Sequence, residues 1–85
     1  MLKIKDNVSF KKLEKLGFEK NINFSHGKID VKYIIKIPDE YILIDKNNII
    51  YIYLDDEYYC SCIYIETLEK IYDLIQAGLV EKVED

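Results

Sequence analysis

The run Tyr41–Ile65, YILIDKNNIIYIYLDDEYYCSCIYI, decides how this chain folds. Two polar breaks, Lys46-Asn47-Asn48 and Asp55-Asp56-Glu57, divide it into three short runs of Ile, Tyr, Leu and Cys. β-Branched and aromatic residues at that density, separated by turn formers, predict three antiparallel strands joined by tight hairpins. A three-residue loop over 46–48, with an Asn in the left-handed region, makes Ile44 face Ile50 and Ile42 face Ile52. Leu43 then pairs with Tyr51, and Tyr41 with Tyr53, on the opposite side. The meander is expected to be aliphatic on one face and tyrosine-rich on the other. A three-residue loop at Asp55–Glu57 sets Cys60 beside Ile52 and Cys62 beside Ile50, with Tyr59 and Ser61 on the tyrosine side. A two-residue loop at Asp55-Asp56 reverses that last strand, so its facing stays open.

Upstream, Ile29–Ile37 reads as a further strand with Ile29, Val31, Tyr33, Ile35 and Ile37 on one face, stopped by Pro38. Ile22 and Phe24 alternate with Asn21, Asn23 and Ser25, which suggests another strand before a turn at 25–28. Ser9 is placed to cap a helix over residues 10–16, with Val8 and Leu13 positioned as a hydrophobic staple. Gly17 occupies the position that closes such a helix in left-handed backbone, with Phe18 folding back on Leu13. Leu2 and Ile4 alternate with lysines and predict an edge strand. Downstream, Thr67 reads as the cap of a second helix, and Leu68, Ile71, Tyr72 and Ile75 form its expected buried stripe. Gly78 repeats the closing device, with Leu79 packing on Leu74, and Val80–Val83 predicts a last short strand.

These readings give an α+β domain spanning 1–85. An antiparallel sheet of four or more strands, with its central meander over 29–65, is packed on one face by a short N-terminal helix and a C-terminal helix. Eighty-five residues suffice for one small core. No apolar run approaches the roughly 18 residues that a membrane span requires. The opening MLKIKD lacks the apolar stretch of a secretory leader, which predicts a soluble, cytoplasmic protein. Cys60 and Cys62, two apart in an extended strand, are too widely held for an easy bridge and read as reduced thiols.

Charge is divided along the chain. Residues 1–38 carry nine lysines against four acids, whereas residues 39–85 carry three lysines against twelve acids. Such a dipolar chain steers charged partners even though its net charge is only −4. The segments IKDNVSFKKLEKLGFEK and ETLEKIYDLIQAGLVEKV, roughly residues 2–20 and 66–83, resemble small accessory proteins of phages and prophages of low-GC Gram-positive bacteria. These motifs are helix caps and core stripes, so the resemblance carries no catalytic residue across. It implies a mobile-element accessory protein, a class that includes inhibitors of host defences such as anti-CRISPR proteins.

Reactive chemistry is scarce. His26 is the sole histidine and reads as an exposed turn residue. Cys60 and Cys62 fall short of the four ligands of a structural zinc site. The acids at Asp39-Glu40 and Asp55–Glu57 read as solvated residues on hairpin tips. Gly17, Gly27 and Gly78 form no phosphate-binding loop. No catalytic residue, cofactor or metal is expected, and the reading is non-enzymatic.

The eight tyrosines remain. Tyrosine supplies large amphipathic contact area at low entropic cost, and a face bearing Tyr41, Tyr51, Tyr53 and Tyr59 suits an interface. Together with Asp45, Asp55, Asp56 and Glu57, these residues form the expected partner-binding surface. Single-stranded nucleic acid, stacked on the tyrosines, is the alternative ligand, but the local excess of acids would repel phosphates. The expected partner is a host protein with a basic surface, and self-association as a homodimer is the main rival.

Overall fold

The computed structural model describes residues 1–22, 27, 29–37, 40–54 and 65–84. His26, Pro38, Asp39, the Asp55–Glu57 loop and most of the strand expected over 58–65, including Tyr59, Cys60 and Cys62, lie outside the described residues. The elements run β1 (Leu2–Ile4), α1 (Phe10–Lys15), β2 (Glu19–Lys20), β3 (Val31–Ile37), β4 (Glu40–Asp45), β5 (Ile50–Leu54), α2 (Ile65–Gln76) and β6 (Val80–Lys82). Strands β2-β3-β4-β5 form a four-stranded antiparallel sheet, and β1 pairs with β6 in a separate two-stranded ribbon. The fold is α+β, as the strand and helix patterns require.

The β4–β5 hairpin has the expected register: Tyr41 opposite Tyr53, Ile42 opposite Ile52, Leu43 opposite Tyr51 and Ile44 opposite Ile50. Its loop works because Asn48 accepts φ 68°, left-handed backbone that a short polar side chain tolerates better than most. Asp45 completes the turn: its Oδ1 accepts the backbone N–H groups of Asn47 at 2.8 Å and Ile49 at 2.9 Å. Strand β3 departs from simple alternation. A register shift between Val31 and Tyr33 inserts an extra residue opposite β4. Val31 is buried but lies outside the cluster that holds Tyr33, Ile35 and Ile37, so these residues do not share one face as the alternation suggested. Asn21 braces the irregular segment, with Nδ2 donating to the Val31 carbonyl and its backbone N–H to that of Lys32, both at 2.9 Å. Strand β2 is correspondingly short, and Ile22 is exposed instead of continuing it.

Both helices end in the same closure. Gly17 has φ +102°, its N–H donates to the Glu14 carbonyl, and the Phe18 N–H donates to the Leu13 carbonyl. Gly78 has φ +72°, with the equivalent bonds from Gly78 to Ile75 and from Leu79 to Leu74. These are Schellman motifs, in which the residue after the glycine packs on the last-but-one turn. The two apolar pairs so formed, Leu13 with Phe18 and Leu74 with Leu79, are buried in one cluster with Ile4, Ile37, Ile42 and Ile44. Helix closure and core packing thus use the same side chains. Ser9 has extended cap geometry but makes no side-chain cap hydrogen bond.

Helix α2 is rotated from its expected setting. It begins at Ile65, so Thr67 lies inside the first turn instead of capping it, and Ile65 belongs to no strand. Thr67 and Leu74 are buried and Ile71 packs on the core, whereas Leu68, Tyr72 and Ile75 are at least half exposed. The closure explains the rotation. Leu74 must meet Leu79 in the core, and the residues three and seven before it, Ile71 and Thr67, follow on the same face. Lys70 completes the docking, with Nζ 2.7 Å from the Leu16 carbonyl at the end of α1.

Candidate protein-binding surface

Alternation along β3, β4 and β5 sorts the sheet into two faces. Ile35, Ile42 and Ile52 fall on the helix side, and Ile34, Leu43 and Tyr51 on the other. On that second face Lys36, Tyr41 and Tyr53 stand in one row across three strands. The Tyr41 and Tyr53 rings lie 6.0 Å apart at 32°, within the range of favourable tilted aromatic pairs. The Lys36 ammonium sits 5.8 Å from the centre of the Tyr41 ring, a cation–π contact. Tyr41, Tyr51 and Tyr53 are all half-buried, and Leu43 between their rows is completely buried. The arrangement is a packed aromatic face in place of an open apolar sheet.

Three of the expected contact residues, Tyr41, Tyr51 and Tyr53, are therefore brought together. Asp45 is not among them: it is 8% exposed, and its carboxylate is committed to the hairpin turn. Asp55, Asp56, Glu57 and Tyr59 lie outside the described residues. Glu40 also departs from expectation. It opens β4 opposite Ile37 and Leu54, and alternation with Ile42 and Ile44 points it into the interior, where it is completely buried instead of solvated on a hairpin tip. Tyr33 belongs to the core side, stacked on Phe10 with ring centres 4.7 Å apart.

Comparison with protein-family models, curated proteins and solved structures finds no match. The functional argument consequently rests on the surface itself. Among the described residues, no three His, Cys, Asp or Glu side chains cluster where they could hold a metal ion. No helix among them is long and apolar enough to cross a membrane.

Helix α2 brings to the surface Leu68, Tyr72 and Ile75, which the helical pattern predicts to be buried, together with Ile65. Ile65, Leu68, Tyr72 and Ile75 are 69%, 50%, 60% and 50% exposed. Their spacing of three, four and three residues keeps them in one stripe along the helix. The sequence pattern groups Leu68, Tyr72 and Ile75 with Ile71, but Ile71 also lies on the adjoining apolar stripe with Leu74, and that stripe packs on the core. Glu66, Glu69 and Asp73 are also exposed on this helix.

Proposed function

We propose that this chain is a non-enzymatic protein-binding module that occupies the surface of a basic, nucleic-acid-handling host protein. This is the mode of action of mobile-element inhibitors of the anti-CRISPR kind. The observation that carries the reading is the placement of Tyr41, Tyr51 and Tyr53 on one face of the chain's acidic half. Aromatic side chains with polar tips provide contact area, while the acidic excess of residues 39–85 as a whole favours a cationic partner and accelerates encounter. An acidic half that carries aromatics imitates the phosphates and bases of a nucleic acid more than it complements them. Nucleic acid itself would meet like charge on this half of the chain.

The test is capture of host proteins on the immobilised chain, run beside a variant carrying Asp55→Lys, Asp56→Lys and Glu57→Lys. A basic protein retained by the parent, released as salt rises and lost from the variant supports the proposal. Binding of single-stranded DNA or RNA by the chain alone, at micromolar affinity and physiological salt, overturns it. A chain that forms stable dimers through Tyr41 and Tyr53 and retains nothing else points to self-association instead.

A further inference from the structure

The exposed side of α2 belongs to the helix layer, across the sheet from Tyr41, Tyr51 and Tyr53, so it forms a second surface that the tyrosine face does not explain. Ile65, Leu68, Tyr72 and Ile75 recur at the spacing of alternate a and d positions in a heptad, the seam along which one helix receives another. They extend over about 15 Å, from ten residues at 1.5 Å each. Soluble chains seldom leave a contiguous apolar stripe of this kind uncovered. A shallow, open depression of about 470 Å³ lies over Ile65, Leu68 and Tyr72, with Glu69 and Asp73 beside them.

Charge selects the occupant. Lys70, the sole basic residue of α2, is turned inward onto the Leu16 carbonyl, so the exposed part of the helix carries Glu66, Glu69 and Asp73 without a neighbouring cation of its own. A second copy docked helix to helix would bring these acids against one another. A helix with an apolar seam and flanking lysines or arginines would instead bury the stripe and neutralise its rim. We infer that α2 is a docking face for a basic amphipathic helix of a partner protein, held by Leu68 and Tyr72 at the centre and oriented by Glu69 and Asp73.

The probe is a synthetic helical peptide with leucine along its seam and lysine at the flanking positions. Its control has the same seam flanked by glutamate. Titrated into the full chain, the lysine peptide is expected to bind, and to bind more weakly as salt rises. Leu68→Ala and Tyr72→Ala should each weaken it at least about tenfold without moving the unfolding midpoint, because both side chains are solvent-facing. The pair Glu69→Lys and Asp73→Lys should reverse the preference toward the glutamate peptide. Equal binding of the two peptides, or binding of neither by a folded chain, overturns the inference. So does a concentration-dependent dimer in sedimentation that Leu68→Ala disperses, since the occupant would then be a second copy. Reversal of Asp55, Asp56 and Glu57 should leave this binding unchanged, which separates it from the tyrosine face.

Discussion

Leu74 and Leu68 stand six residues apart on the same helix and should respond oppositely to truncation. Leu74 is fully buried among Ile42, Ile44 and Leu79, whereas Leu68 is half exposed. Burying a leucine side chain contributes about 1.5–3 kcal/mol. Removing three of its carbons from a packed site also leaves a cavity, so Leu74→Ala should cost about 2–5 kcal/mol. An 85-residue domain has about 4–13 kcal/mol of stability in all, so that loss is a large fraction of the total. Leu68→Ala removes an exposed group and should stay within about 0.5 kcal/mol. Urea unfolding followed by circular dichroism resolves the difference, since a loss of 3 kcal/mol moves the midpoint of a small protein by about 1–3 M. The reverse order, a costly Leu68→Ala and a neutral Leu74→Ala, would show that α2 docks through its other stripe. The closure-based account of its rotation would then fail, and the proposed docking face with it.

The two closing glycines provide a second comparison. Gly78→Ala should cost about 1–2 kcal/mol from left-handed backbone alone, because nothing lies within 4 Å of the added carbon. Gly17→Ala should cost more, since its Cβ would stand 3.1 Å from the Ile35 Cδ1; equal losses would mean that Ile35 yields freely. Asp45→Ala should destabilise by about 1–3 kcal/mol by stranding the N–H groups of Asn47 and Ile49, and Asp45→Asn, which retains an acceptor, should restore most of it. An alanine variant as stable as the parent would remove Asp45 from the hairpin account. Native mass spectrometry should find Cys60 and Cys62 reduced and metal-free; a mass lower by two hydrogens, or a bound zinc ion, refutes that.

The sequence was most legible where local chemistry and side-chain period agreed. The 46–48 loop, with its polar residues and an asparagine able to enter left-handed backbone, specified the β4–β5 register and hence the tyrosine row. Both glycine closures were visible because each pairs a glycine with an apolar residue that must fold back on its helix. Reading failed where two solutions shared one local pattern. Residues 65–76 carry adjacent apolar stripes, and only the tertiary requirement that Leu74 meet Leu79 chooses between them. The displacement of Val31 from the Tyr33 face depends on a bulge that alternation cannot foresee. Asp45 and Glu40 look like surface acids by residue type. The first is drawn in by backbone donors of its own turn, and the second by its place opposite Ile37.

Competition offers the most direct test of the proposed mode of action. The immobilised chain is loaded with the basic protein it retains from nuclease-treated host lysate, then washed with excess single-stranded oligonucleotide at constant salt. If acids and tyrosines occupy the partner where nucleic acid would bind, the oligonucleotide should release the partner while itself failing to stay on the immobilised chain. A partner that stays bound throughout, or an oligonucleotide that is retained by the chain, would contradict the account.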